Sequence, residues 1–270
     1  MSVPLIGDSA VKVSIITVSF NSGKTIRDTI ESVLSQTYPH VEYLIVDGNS
    51  YDDTLEIVSG YGSRVAKVLS EPDQGIYDAM NKGVLLASGE IIGILNSDDM
   101  FADSSVIADV VQGFIESSAE CLYGDLVFVD AVDVVRVVRR WRTSPYQSGA
   151  FRKGWHPPHP SFFMRNDAYR KIGLFDITIP FSADFDLMLR AIEVHHIKSH
   201  YLPRVCVRMR VGGVTTSSFK NILSGNVGVL RSFRKHGLRV NPVIYLLRRI
   251  IPKLVSVLQD RLGIKAKDVS

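Results

Sequence analysis

The sequence predicts an α/β protein whose first hundred residues form a doubly wound, mainly parallel sheet. Short β-branched runs alternate with segments of helical periodicity between residues 13 and 95, and each run ends in a polar cluster. Strands joined through helices pair in parallel by right-handed crossovers. The 270 residues, 46% hydrophobic and 22% charged, have ordinary globular composition. A chain of that length buries roughly 70–75% of its unfolded surface, so one large domain with an appendage needs no disulfide or structural metal.

Val13 to Phe20 (VSIITVSF) reads as a strand buried on both faces. After Asn21-Ser22-Gly23, Ile26, Ile30, Val33 and Leu34 recur at helical spacing up to Tyr38-Pro39. Val41 to Val46 is the second strand, and Leu55, Ile57 and Val58 mark a second helix behind capping candidates at Ser50, Asp52, Asp53 and Thr54. Val65 to Leu69 is a third strand, Tyr77 to Ala87 a helix, and Glu90 to Leu95 a fourth strand. Beyond Asp103 the pattern changes. A helix over Val106 to Ile115 precedes two strands of a mixed or antiparallel region, Leu122 to Val129 and Val132 to Val138. Residues 143–160, rich in Pro, Gly and aromatics, are expected to be a mobile loop. Ser161 to Arg165, a helix from Asp184 to about Val194 and a strand Val205 to Val211 complete the body.

Net charge is +3, but it is unevenly placed. Residues 1–200 carry 17 basic and 26 acidic side chains, whereas residues 201–270 carry 14 basic and two acidic ones. A basic tail of this kind meets an anionic partner, either nucleic acid or a membrane surface. The tail has few aromatics and no recognisable nucleic-acid-binding motif, so nucleic acid is not the expected partner. Cys121 and Cys206 stand 85 positions apart without a CxxC or Cys/His cluster, which excludes a zinc ribbon and fits two buried thiols in a reducing compartment. The N-terminal MSVPLIGDSA lacks the basic and apolar regions of a signal peptide, and no apolar run approaches the ~20 residues of a spanning helix. A cytoplasmic location is therefore expected.

The polar residues fall at the carboxyl ends of the expected strands: Ser19 and Asn21, Asp47 and Asn49, Glu71 and Asp73, then Asn96, Asp98 and Asp99. In an open α/β sheet that edge is where ligands bind. Such an anionic crevice receives a nucleotide only together with a divalent cation, and hard oxygen donors select Mg2+ or Mn2+. For Ser50 to Thr54, helix capping explains the composition equally well. Adjacent carboxylates at Asp98-Asp99 repel each other unless a cation or donors offset them. The chain has no GxGxxG after the first strand, no GxxxxGK[ST], no HExxH and no GxSxG. Dinucleotide-binding, P-loop, metalloprotease and α/β-hydrolase readings lose their main support.

The succession SIITVSFN (14–21), YLIVDGNSYDDT (43–54), EPDQGIYDAMNKGVLLASGEIIGILNSDD (71–99) and ADFDLMLR (183–190) resembles the family 2 inverting glycosyltransferases, in the branch that builds bacterial polysaccharides and O-antigens. The resemblance spans residues 12 to about 215. It implies a GT-A fold, Rossmann-like in its nucleotide-binding half with a mixed central sheet. The catalytic domain would be residues 1–215, with a donor half of about 12–100 and an acceptor half of about 101–215, and residues 216–270 would form a basic, amphipathic helical extension. It further implies transfer of a hexosyl or hexosaminyl group from a nucleoside-diphosphate sugar, with inversion and a divalent metal.

By position, the resemblance assigns Thr17 and Ser19 to the base and ribose pocket, with Asp47 bonding the base and Asn21 among the nucleotide-sugar contacts. Asn96-Ser97-Asp98 stands at the DxD site, which makes Asp98 the metal ligand and Asp99 its neighbour. Asp73, Gly75 and Tyr77 belong to the segment that closes on the donor. Where relatives have Ala-Arg-Asn this chain has Ala79-Met80-Asn81, so Lys82 is the candidate replacement cation. Asp184 matches the catalytic base, for which an N-cap carboxylate is the alternative reading. Asp186, His156 and His159 are placed on the acceptor side, although surface or packing roles also account for the histidines. Trp141, Tyr146, Phe151 and Trp155 form either core lining or a sugar-stacking platform. A sugar nucleotidyltransferase or a non-catalytic subunit of the same fold are the alternative functions. The stripe Ile244, Leu247, Ile251, Leu254, Leu258 and Leu262, flanked by Arg248, Arg249 and Lys253, predicts an amphipathic helix that lies at the inner face of the membrane, where a lipid-linked acceptor would be met, or else packs on the catalytic domain or another subunit.

Overall fold

The computed structural model describes residues 10–212 and 219–248. Among them, nine strands, β1 (Val13–Ser19), β2 (Val41–Asp47), β3 (Lys67–Ser70), β4 (Ile91–Ile94), β5 (Asp99–Phe101), β6 (Cys121–Val129), β7 (Val137–Trp141), β8 (Phe162–Arg165) and β9 (Ser199–Arg210), form one sheet in the order β3-β2-β1-β4-β8-β6-β9-β5, with β7 paired antiparallel to the end of β6. The first four are all mutually parallel. Helices α1 (Ile26–Leu34), α2 (Thr54–Ser59) and α3 (Ile76–Leu86) connect them as the periodicity predicts. Beyond β4 the sheet turns mixed. β8 runs antiparallel to β4 and to β6, β9 is parallel to β6, and β5 is antiparallel to β9.

Every residue of β1 is buried, because both faces of the sheet are covered. Val13 and Ile15 pack in one core with Ile26, Ile30 and Val33 of α1 and with α4 (Val106–Ser117). Ile16 and Val18 pack in the other with Ala79, Met80 and Val84 of α3. This alternation follows from the two-residue period of a strand. The second core also takes in α5 (Asn166–Ile172), α6 (Ala183–Leu189, continued by a π-turn over Arg190–Val194) and α7 (Phe219–Lys235).

The second half departs from expectation in three places. Residues 131–136 form a turn, and β7 is Val137–Trp141. The Asp130 carboxylate accepts the Val132 and Asp133 amides and pairs with Arg136, which closes a tight turn and leaves Val132 and Val135 exposed. Residues 143–160 are anchored at points, with a 3-10 turn at Phe151–Lys153, Phe151 fully buried and the Tyr123 hydroxyl bonded to the Ser144 carbonyl, while Ser144, Pro145, Gln147 and Ser148 stay exposed. Phe151 therefore lines the core, with Tyr146 and Trp155 packed against it.

The third departure is at the C-terminal side. Helix α7 lies on α6, burying Val229, Phe233 and Ser232, and the Ser182 hydroxyl donates to the Gly225 carbonyl at 2.7 Å. The core thus continues past residue 215. Residues 242–248 are helical, started by Asn241, whose Oδ1 accepts from the amides of Val243 and Ile244. Tyr245 fills the core against Phe233, while Val243, Ile244 and Leu247 are exposed. Ile251, Leu254, Leu258 and Leu262 of the expected stripe lie outside the described residues.

Candidate active site

Strand order around β1 reverses direction: β2 and β3 lie on one side and β4 on the other. The crevice at the carboxyl ends of β1 and β4 is the ligand position such sheets create. Asn21 (φ 50°) and Asn49 (φ 67°) turn the chain sharply at the ends of β1 and β2. The hydroxyls of Ser22 and Ser97 meet at 2.7 Å, closing the β1 and β4 ends on each other.

On the β2 side, Asp47 is fully buried and its carboxylate is saturated. Oδ1 accepts from Ser19 (3.0 Å) and Ser50 (2.5 Å) hydroxyls, and Oδ2 from the Ser50 amide and the Ser70 hydroxyl (both 2.8 Å). A base could bond Asp47 only by displacing one of these donors. Thr17 is likewise enclosed, its hydroxyl accepting from Tyr43 at 3.0 Å inside the core, so it does not line a pocket. Asn21 spends Oδ1 on the Tyr51 amide. In the neighbouring loop the Asp52 carboxylate accepts from the Gly23 and Thr54 amides, which ties the loop after β1 to the start of α2.

The segment after β3 folds over this edge. Asp73 accepts from the Gly75 amide at 2.8 Å and packs on Gly48, where a Cβ would meet Asp73 Oδ2 at 2.5 Å. Gly75, with φ 114°, takes a backbone conformation that side chains oppose, and it starts α3. Lys82 is committed to this segment: it pairs with Glu71 (2.9 Å) and Asp78 (3.5 Å) and donates to the Pro72 carbonyl. It is not a free cation for a diphosphate. Met80 is buried in the core, which is why an apolar residue stands there.

At β4 the turn Asn96–Asp99 presents oxygens without protein partners. Asn96 Oδ1 and Asp99 Oδ1 are buried and unbonded, and Asn96 Nδ2 reaches Asp99 Oδ2 at 3.3 Å. Burial raises the Asp98 pKa; burial and the adjacent Asp98 charge raise that of Asp99 well above the usual carboxylate value. Arg210, at the end of β9, donates to the Asp98 carbonyl at 2.9 Å and pairs with Asp28, holding the turn from behind. Sequence reading missed Arg210; the basic alternation Arg208-Met209-Arg210 was its only signal. Two orphaned oxygens beside a carboxylate suit a hard divalent cation that draws its remaining ligands from a diphosphate. Among the described residues, no group of three or more His, Cys, Asp or Glu side chains holds a metal alone.

The acceptor-half residues sit on α6 and the packed segment before β8. Asp184 accepts a hydrogen bond from the Tyr77 hydroxyl at 3.0 Å. His159 is edge-on to Phe175 at 5.8 Å; burial lowers its pKa and the Asp184 charge raises it in part. His156 contacts the rings of Trp141 (5.1 Å) and Phe185 (5.5 Å), with Nδ1 3.1 Å from the Pro157 carbonyl. Asp186 is corrected: it is fully buried, bonded to His236 and paired with Arg190, so it supports the fold rather than touching an acceptor. Burial opposes its ionisation, but the His236 hydrogen bond and the nearby positive charges prevail and lower its pKa.

A sheet parallel in its first half and mixed beyond β4, with an oxygen-rich turn at its switch point, is the architecture of the GT-A fold. The family described as "Glycosyl transferase family 2" matches residues 14–173, and the chain belongs to that family. It is 34% identical over 188 residues to an uncharacterized glycosyltransferase of Mycobacterium tuberculosis, covering 69% of this chain and 71% of the relative. It is 26% identical over 254 residues to a PGL/p-HBAD biosynthesis glycosyltransferase of Mycobacterium bovis, covering 90% and 92%. Among solved structures, S. aureus TarS 1–349 in complex with UDP-GlcNAc superposes with TM-score 0.66 at 17% identity, covering 95% of this chain and 74% of that one. The mannosyltransferase PcManGT from Pyrobaculum calidifontis, in complex with GDP-Man and Mn2+, gives 0.64 at 16% identity, covering 94% and 74%.

Proposed function

We propose that this glycosyltransferase moves one sugar from a nucleoside diphosphate to a glycan carried on a lipid, with inversion at the anomeric carbon. The observation that carries this reading is the oxygen-rich Asn96–Asp99 turn at the β1/β4 switch point; the Tyr77–Asp184 hydrogen bond, which ties α6 to the helix that follows the donor-side segment, supports Asp184 as its partner in the chemistry. The TarS and PcManGT complexes, with UDP-GlcNAc and with GDP-Man and Mn2+, support a nucleotide-sugar donor and a divalent ion. The relative named as a PGL/p-HBAD biosynthesis glycosyltransferase supports sugar transfer in a biosynthetic role.

Ser19, Asn21 and the Asp73–Tyr77 segment would border the nucleotide, with Asp47 as the buried hub that fixes Ser19, Ser50 and Ser70. Asp98, assisted by Asn96 and Asp99, would hold Mg2+ or Mn2+. When bound, that ion supplies charge stabilisation for the departing diphosphate. Asp184 accepts the proton of the acceptor hydroxyl as its oxygen bonds to the anomeric carbon. The bond from that carbon to the diphosphate oxygen breaks, and the diphosphate leaves with the electron pair. Attack opposite the leaving group gives inversion. His156 and His159 flank the acceptor approach.

Exposed Val243, Ile244 and Leu247, with exposed Arg239 and Arg248 near them in sequence, support docking on a membrane surface. Among the described residues, no helix is long and apolar enough to cross a bilayer.

The experiment is a thermal-stability panel with UDP-glucose, UDP-N-acetylglucosamine, GDP-mannose and dTDP-rhamnose, each with and without Mn2+. A cognate donor at 100 times its Kd adds about 2.7 kcal/mol. A panel with no metal-dependent stabilisation by any donor counts against the proposal.

A further inference from the structure

Asp184 belongs to α6 in the acceptor half, yet the group that grips it comes from α3 in the donor half. The Tyr77 hydroxyl donates to Asp184 Oδ1 at 3.0 Å, spanning 107 positions of sequence. The phenol is itself immobilised. Its ring stacks on Phe175 with centroids 5.8 Å apart and planes 20° from parallel. Phe175 is clamped on both sides of its backbone by Asn81, whose Nδ2 donates to the carbonyl at 2.9 Å and whose Oδ1 accepts from the amide at 2.8 Å. Tyr77 and Asn81 are four residues apart, hence on one face of α3. The far edge of Phe175 meets His159, the other titratable group beside Asp184. Burial, the Asp184 charge and the hydrogen bond to it push the Tyr77 hydroxyl well above its usual pKa of 10.

We propose that Tyr77 is a positioning residue for the base: its hydroxyl holds Asp184 by Oδ1, leaves Oδ2 to take the acceptor proton, and ties the base to the segment that borders the donor. This rests on the assignment of Asp184 as the base. The ring stack and the Asn81 clamp make the tether rigid, and rigidity is what a base needs. A displacement of about 1 Å can cost as much as ~100-fold in rate. Sequence position alone places Tyr77 with the donor. The structure adds a second allegiance.

The test is a double-mutant cycle of Tyr77→Phe and Asp184→Asn in the full chain. It reads nucleoside diphosphate release with Mn2+ and the panel donor that stabilises the protein most, water serving as acceptor. Donor affinity is measured in parallel by calorimetry, which also reports that each variant is folded. Tyr77→Phe keeps the ring and removes only the hydroxyl. Its kcat should fall about 10–100-fold while donor Kd changes less than about threefold. In the Asp184→Asn background, itself slowed about 10²–10⁴-fold, the same change should cost less than about twofold. Equal losses in both backgrounds would mean that Tyr77 acts apart from Asp184, and a Kd loss matching the kcat loss would make it a donor contact. Either result, or a Tyr77→Phe enzyme within about twofold of the parent rate, overturns the proposal. An Asp184→Asn enzyme within about threefold of the parent instead overturns the base assignment beneath it.

Discussion

The Asp186 carboxylate, fully buried in the first turn of α6, accepts a hydrogen bond from His236 Nε2 at 3.0 Å, at the end of α7. Arg190 approaches its other oxygen at 3.5 Å. This pair fastens the C-terminal helix to the helix that carries Asp184, two residues away.

His236→Ala should therefore destabilise the protein by about 3 kcal/mol, because it leaves a buried carboxylate with one distant partner. Urea denaturation measures the loss, and donor affinity should stay unchanged at temperatures where the variant is folded. A His236→Ala or Asp186→Asn protein of parental stability but without transfer would return Asp186 to the acceptor site.

Asp98→Asn should abolish the Mn2+-dependent part of donor binding, whereas the same protein should remain as stable as the parent without ligands. The partly buried carboxylate accepts from its own backbone amide and feels the Arg210 charge, and among the described residues its side chain bridges to no other element by a hydrogen bond, so the fold should tolerate the amide. Calorimetric titration of donor with and without Mn2+ decides this. Full turnover in excess EDTA would remove the metal role.

Glu42 gives the fold an acid limit remote from the crevice. Burial works against its charge, but hydrogen bonds from Ser14, Ser88 and Lys12 hold its pKa down at about 2, against an ordinary 4.5. Because the folded value is the lower one, the stabilisation is complete above about pH 4.5 and is lost as pH falls toward 2. Glu42→Gln should cost about 2 kcal/mol at neutral pH and flatten the acid slope of stability. An unchanged slope in pH-resolved urea melts would show that Glu42 is not the cause.

Ile244→Glu with Leu247→Glu should leave folding intact, since both side chains are exposed, and should abolish sedimentation with anionic phosphatidylglycerol vesicles at low salt. Point changes are the proper test. Cutting the chain before residue 241 would also remove Tyr245, which is 1% exposed and packs on Phe233. Vesicle binding that survives the double substitution would rule out this helix as the contact.

What the sequence by itself determined is the local half of the design. β1 to β4, the helices between them and the acid-rich strand ends are legible because strand and helix periodicities are properties of neighbouring residues, and ordered motifs in that frame identify the family. The chemistry of individual side chains was decided by tertiary structure. Asp47 and Thr17 look available at strand ends but are taken by Ser19, Ser50, Ser70 and Tyr43. Lys82 looks free but belongs to Glu71 and Asp78, and Asp186 looks like a second acid but is locked under α7. Arg210 reaches the Asp98 carbonyl across 112 positions and Tyr77 reaches Asp184 across 107. Such partners are set by how the sheet and its helices pack together, a long-range geometry that no local spacing encodes.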